Sequence, residues 1–357
     1  MKSLRLAVLT VVTVALAMGV AGVRAVAAPE SPEAFFNEDD LSLYLNGLAA
    51  DALAPDGAGG EAGAPAEAAG AAEQPPPGDG PPLPLHSLEG VAGGACTPMA
   101  YFANPGPPGT KVGLPSVSYT YLVAGTKVIN SIALSEVFYR RIEFSYAYNR
   151  VGLGDFPRDV RAATGFDIGR THVNMHNWNL RGILVEENTG CPWMPQIVGG
   201  VHFKYNQSTQ NLDTRIMHGA RGLGFERNNG VDYTIMAGKM FPKGFLGRPI
   251  LANAGLRWTE SAQTGWLGFG DTYRTNVEAN IAWVPFDWLA IGYEFKQKQD
   301  PYHKLGNLVG DENNWHTVLL AWIINEHCTL AGVYGHLGNI VNGEENGGWG
   351  FQFKYEF

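Results

Sequence analysis

The side chains with chemistry to offer are Glu143, Arg181, His202, Lys204, Arg257, Arg274, Glu278, Glu294, Lys296, Lys354 and Glu356. Each stands in a segment of alternating character, on the parity opposite a row of apolar residues, so on strands all of them face one way. If that side is an enclosed lumen, the mixed signs have two uses. They can pair across a narrow bore, because an unpaired buried charge is expensive. They can also line a polar pore whose field sorts small solutes.

Catalytic chemistry has less to draw on. A hydrolase needs Ser with His and Asn or Asp, or paired carboxylates with His. His172 and His176 share the parity of Trp178, His202 has the opposite one, and Ser208 falls beyond a strand end. No GxSxG or HExxH occurs. The nine histidines are scattered without ligand spacing. The sequence therefore implies no cofactor and no metal, and its pattern speaks against an enzyme.

The elements that must position these residues are strands. In Ile142–Asn149, Ile142, Phe144, Tyr146 and Tyr148 alternate with Glu143, Ser145, Ala147 and Asn149. Gln196–Asn206, Ile250–Thr259, Tyr273–Trp283 and Leu289–Lys296 repeat the pattern. Weaker alternation marks Val117–Val123, Lys127–Glu136, Trp178–Val185, Asp232–Phe241, Trp315–Ile324 and Thr329–His336. The ending is the clearest: Trp349, Phe351, Phe353, Tyr355 and Phe357 oppose Gly350, Gln352, Lys354 and Glu356. The reading is all-β, a transmembrane antiparallel up-and-down barrel of about twelve strands. Fourteen is the alternative, if Leu83–Glu89 and Thr97–Ala103 are also wall strands. Short connections such as Phe138–Arg141 and Asn325–His327 roughly alternate with long ones such as Asn206–Val231 and Gln297–Asn314. Trp178, Trp258, Trp283, Trp288, Trp315 and Trp349 sit near strand ends, as interfacial girdles do. A soluble sandwich would bury the aromatic parity instead. Lys and Glu on the opposite parity and the absence of covering helices weigh against it.

The amino-terminal part is of another kind. Residues 1–27 read as a signal peptide: Lys2 and Arg5, an apolar run from Leu6 to Val20, then small residues at Ala25-Val26-Ala27. Residues 28–86 form an acidic tail rich in Ala, Gly and Pro, without one basic residue. A short helix fits residues 38–50, with Leu41, Tyr44, Leu45 and Leu48 on one face. The rest of the tail is too poor in large apolar residues to order itself. The net charge of −9 belongs to this tail, and residues 87–357, the expected barrel, are nearly neutral. No basic patch points to nucleic acid. Three cysteines, Cys96, Cys191 and Cys328, are too few and too irregular for a disulfide framework.

Ser87–Gly94, Gly265–Arg274, His336–Ile340 and the ending Gly348–Phe357 resemble landmarks of an uncharacterised, domain-of-unknown-function family of Gram-negative outer-membrane β-barrel proteins. The resemblance spans Ser87 to the end and implies a barrel in the cell outer membrane, with outer-membrane lipid as its surroundings. The aromatic ending is similar to the closing strands that the barrel-insertion machinery reads. The family implies no activity or site residues. The resulting expectation is a narrow, porin-like channel for small polar solutes. The alternative is a structural barrel anchoring a docking tail, with residues 33–50 meeting a periplasmic protein. An outer-membrane hydrolase comes third.

Overall fold

The period-two segments form the wall of a closed barrel in the computed structural model, which describes residues 83–306, 308–345 and 347–357. The expected signal peptide and the helix at 38–50 lie outside the described residues. Strands β1 (Leu85–His86) and β2 (Ala92–Gly93) make a small antiparallel pair apart from the wall. The wall consists of β3 (Ser116–Ala124), β4 (Lys127–Phe138), β5 (Ile142–Gly152), β6 (His172–Val185), β7 (Gln196–Asn206), β8 (Asn229–Phe241), β9 (Ile250–Thr259), β10 (Arg274–Phe286), β11 (Leu289–Lys296), β12 (Trp315–Ile323) and β13 (Cys328–His336). The short pair β14 (Gly338–Asn339) and β15 (Glu344–Glu345) belongs to a connection, and β16 (Gly348–Glu356) completes the wall. Each wall strand pairs antiparallel with its neighbours, and β16 pairs with β3 to close the ring.

Closure is written into the aromatic ending. Phe351 stands opposite Tyr121, Phe353 opposite Tyr119 and Tyr355 opposite Val117. The Tyr121 and Phe351 rings lie 5.6 Å apart, the kind of cross-strand contact that fixes register. The outer face is a belt of exposed apolar side chains, including Ile132, Leu180, Ile281, Leu320, Trp322 and Tyr334. Among the described residues no layer of protein covers it. That is the signature of a surface solvated by lipid. Glu136 departs from the rule. It shares the outward parity of Ile132, is buried, and among the described residues neither of its carboxylate oxygens has a hydrogen-bond partner.

The two rims differ. Connections at the rim that carries the carboxy terminus are 139–141, 186–195, 242–249, 287–288 and 324–327. Those at the opposite rim are, after the tight turn at 125–126, the longer 153–171, 207–228, 260–273, 297–314 and 337–347. Three of the long-rim connections matter most. One carries α1 (Phe156–Thr164), the next carries α2 (Thr209–Arg215) and α3 (Gly219–Gly222), and the 297–314 connection packs beside them. Their apolar residues, among them Val160, Leu212, Phe225, Tyr302 and Leu308, bury against one another and cap that end.

Three sequence expectations need correction. Leu83–Glu89 and Thr97–Ala103 are not wall strands, so the fourteen-strand alternative fails. They lack sustained alternation and run inside the bore. Residues 83–86, assigned to the tail, are part of that inserted stretch. Trp315 is not a girdle residue: it is 2% exposed and packs on Trp266 at 5.7 Å, with the Lys298 ammonium 5.0 Å from its ring centre. Its parity is that of Thr317, the inward one.

If the belt faces lipid, Leu320→Arg should destabilise the barrel by about 2–4 kcal/mol, while Leu320→Phe should be close to neutral. Denaturant titration in lipid vesicles measures both. Equal stability of the Arg variant and the parent would remove the lipid-facing assignment of β12.

Candidate functional site

The stretch Leu85–Ala103 is mostly small residues, interrupted by Leu85, His86, Leu88, Met99, Tyr101 and Phe102, and Glu89 is its one acidic residue. Such a chain is slim enough to pass through a bore already lined with side chains. It enters at the carboxy-terminal rim, turns, and leaves at the same rim, where the Asn104 amide donates to the Phe357 carbonyl. The turn requires glycine at two points. Gly90 has φ +91°, and a Cβ there would lie 2.8 Å from the Ala147 Cβ on β5. A Cβ on Gly93 would lie 2.2 Å from the Thr97 carbonyl oxygen.

Polar contacts tie this plug to the wall on every side. The Lys354 ammonium donates to the Pro84 carbonyl. The His86 ring sits between Ser118 and Ser135, with ring nitrogens 2.9 Å and 2.8 Å from their hydroxyls. Its backbone N–H donates to Gln352 at 3.0 Å. The Leu88 carbonyl accepts from Asn149 at 2.7 Å, and the Glu89 carbonyl from Asn179 at 2.8 Å. On the return leg, the Glu294 carboxylate accepts from the backbone N–H groups of Ala95, Cys96 and Thr97 and from the hydroxyls of Thr97 and Thr317. Further along, Arg181 donates to the Met99 carbonyl at 2.7 Å, and the Ala100 N–H donates to Asn253 at 2.9 Å.

At the centre, Glu89 meets a charge cluster. Arg257 is 2.8 Å from Glu89, 2.9 Å from Asp232 and 2.7 Å from Glu278. Lys204 contacts both Glu89 and Asp232, and Lys296 lies 3.2 Å from Glu278. These three acids and three bases balance, and every one of their side chains is almost wholly buried. Charges without solvent survive only when matched in this way.

The residues singled out in the sequence fall into place around the plug. Glu143 and Arg181 pair at 2.8 Å, and Lys354 pairs with Glu356 near the terminal rim. Lys204, Arg257, Glu278 and Lys296 form the cluster, and Glu294 clasps the plug backbone. His202 is held between Asn179 and Thr234, each at 2.8 Å. Arg274 shares the inward parity but lies half-buried at the end of β10, outside the cluster. Of the expected insertion signal, Trp349, Phe351, Phe353 and Phe357 are exposed on the outer face and Tyr355 is half-buried there.

Sequence reasoning missed His86, Glu89 and Asp232. Glu89 was visible within the Ser87–Gly94 landmark but had no strand parity to orient it. Asp232 opens a recognised segment, and its wall neighbour Tyr233 points outward. The best available signal for the plug was a glycine-rich run with one acid and no alternation, placed directly before the first strand. Among the described residues no group of His, Cys, Asp and Glu is arranged to hold a metal, and the three cysteines are free thiols.

The family model described as "Protein of unknown function (DUF3034)" matches residues 84–354. The chain belongs to this family. The match begins at the plug, so the family model spans the inserted stretch together with the wall. No curated protein matches the sequence. Among solved structures, the chain is similar to the KdgM porin, at 11% identity and a TM-score of 0.41, over 68% of this chain and 99% of that one. It is similar to the NanC porin at 10% identity and a TM-score of 0.39, over 68% and 98% of the two chains. The outer membrane protein Omp33 of Acinetobacter baumannii gives 7% identity and a TM-score of 0.38, over 69% and 99%. None of them supplies a solute or a partner for this chain.

Removing one member of the cluster strands the others. Arg257→Met should cost about 3–5 kcal/mol in unfolding free energy. Glu89→Gln and Arg257→Met should be non-additive by about 1 kcal/mol or more, since the groups touch. A double-mutant cycle by denaturant unfolding measures this, and strict additivity would mean that Glu89 and Arg257 do not interact in the folded protein.

Proposed function

We propose that the protein is a porin-like barrel of the Gram-negative outer membrane whose polar bore, suited to small polar solutes, is held shut by its own residues 84–103. Beside apolar contacts at Leu85, Met99, Ala100 and Phe102, one observation carries the reading: the plug enters and leaves by one rim and is tied to the wall by many contacts to Ser, Asn, Thr and balanced charges. Groups of that kind can exchange a protein partner for water at small net cost. With the plug displaced, the same wall would line a hydrated path up to the opposite rim, where the capping connections would also have to part. In this reading residues 1–27 direct export, lipid surrounds the apolar belt, and both plug ends face the periplasm.

A second reading is favoured by the completeness of the seal. A permanently filled barrel would be an anchor, with the acidic tail ahead of Leu83 as the working part and a periplasmic protein meeting residues 33–50. The hydrolase reading has the least support. Among the described residues His86 lies between Ser118 and Ser135 without an orienting carboxylate, and the trio is buried where the plug meets the wall.

Planar-bilayer conductance separates these. The parent should show low conductance with brief openings, and a variant lacking residues 83–103, still capped at the opposite rim, should open more often and for longer. A His86→Cys/Ser118→Cys pair, which also serves if the deletion fails to fold, should be silent when oxidised and regain openings when reduced. A folded plugless barrel that stays silent, or a cross-linked pair whose openings ignore reductant, would sink the channel reading. Loss of a captured periplasmic protein on deleting residues 29–82 would then support the anchor.

A further inference from the structure

The wall receives Glu89 in the way a binding site receives a ligand. Both carboxylate oxygens are held. Arg257 faces the two together, with Nη2 2.8 Å from Oε2 and Nη1 3.5 Å from Oε1. Lys204 donates to Oε1, and the Lys296 ammonium lies 3.8 Å from Oε2. A planar guanidinium fork set against two oxygens, with an ammonium beside each, recognises a carboxylate by shape as well as by charge. Lys204 stands on β7, Arg257 on β9 and Lys296 on β11. The positions of the three bases are therefore set by the wall and not by the plug.

The charge count narrows the ligand. Asp232 contacts Lys204 and Arg257, and Glu278 contacts Arg257 and Lys296. Both acids belong to the wall and stay with it. Without Glu89, three bases face two acids at positions almost closed to solvent. One monoanion restores the balance, and a dianion such as sulfate overshoots it. Glu294 does not make up the deficit in the closed state. Its carboxylate is taken by the return leg of the plug and by Thr317, and among the described residues it makes no ion pair with the three bases. With the plug out, water reaches Glu294 as it reaches the bases, and the fork at Arg257 remains the feature specific to a carboxylate.

We infer that Arg257, Lys204 and Lys296 form a binding subsite for the carboxylate of a small monocarboxylic acid, and that Glu89 fills this subsite while the bore is shut. The natural occupant rests on the channel reading, since a solute reaches the subsite only with the plug displaced. Solute and plug then exclude each other, because each needs the same three cations. A carboxylate that binds only the open bore shifts the protein toward that state.

The subsite is tested with the rest of the plug in place, which separates it from conduction. Glu89→Ala deletes one methylene and the carboxylate, and acetate supplies the same heavy atoms. The full chain in lipid nanodiscs is melted in sodium chloride, sodium acetate, sodium sulfate, and sodium chloride with acetamide, at matched ionic strength. In chloride, Glu89→Ala should melt below the parent. Acetate should raise its melting temperature saturably, with an affinity about tenfold or more above that of acetamide, as a charge-assisted contact implies. The parent should not respond, nor should Glu89→Ala/Arg257→Met, in which two bases again face two acids. If Glu89→Ala does not fold in chloride, its refolding yield in the same four solutions is the readout. Acetate acting no better than chloride, or no better than sulfate, would overturn the subsite. Rescue by acetate in a barrel whose plugless form never conducts would leave the subsite standing and remove only its link to transport. Conduction by the plugless barrel without rescue would overturn the subsite and leave the channel reading intact.

Discussion

Everything in this fold depends on closing the ladder between β16 and β3. A sheet in lipid cannot leave an edge of unpaired N–H and C=O groups, because no water is present to satisfy them. Once the edge is gone, the two faces of the sheet must differ, since one meets hydrocarbon and the other an enclosed space. The period-two sequence meets that demand directly. The outward parity carries Ile, Leu, Phe, Tyr and Trp; the inward parity carries Ser, Asn, Thr and charge near mid-wall, with Ala, Val, Leu, Ile and Met toward the rims. The enclosed space then becomes the problem. Wall side chains of modest length leave a gap along the axis, and charges such as Arg257 cannot face that gap unmatched.

The plug answers both needs. Its small residues fill the axis, and Glu89 brings the third carboxylate that neutralises Lys204, Arg257 and Lys296. The Glu294 carboxylate, in return, satisfies three consecutive backbone N–H groups of a stretch that has no strand of its own to pair with there. Wall and plug are therefore incomplete without each other in the closed state: one lacks an anion, the other lacks hydrogen-bond partners. The asymmetry of the two rims follows the same logic. Short turns leave the plugged end bare, while the long connections fold over the other end and bury their own apolar residues.

The wall was legible because alternation is a local property. Segments such as Leu289–Lys296 state which residues face in and which face out without reference to any other part of the chain. The aromatic ending announced the closing strand in the same way. What could not be read was anything depending on the third dimension of the bore. Glu89 has no parity, and only the turn at Gly90 aims it at Arg257. Trp315 has a parity, but its being covered depends on Trp266 from a distant connection.

That both ends of the plug emerge at one rim has a mechanical consequence. A chain passed through a ring from one side to the other would be threaded, and removing it would require opening the ladder. A doubled-back chain is merely inserted. The ring can be completed while empty and receive the hairpin afterwards, and tension on the backbone ahead of Leu83 would peel the contacts at Lys354, His86 and Glu89 in that order. The wall strands would bear little of that load, so the lock and the vessel can fail separately.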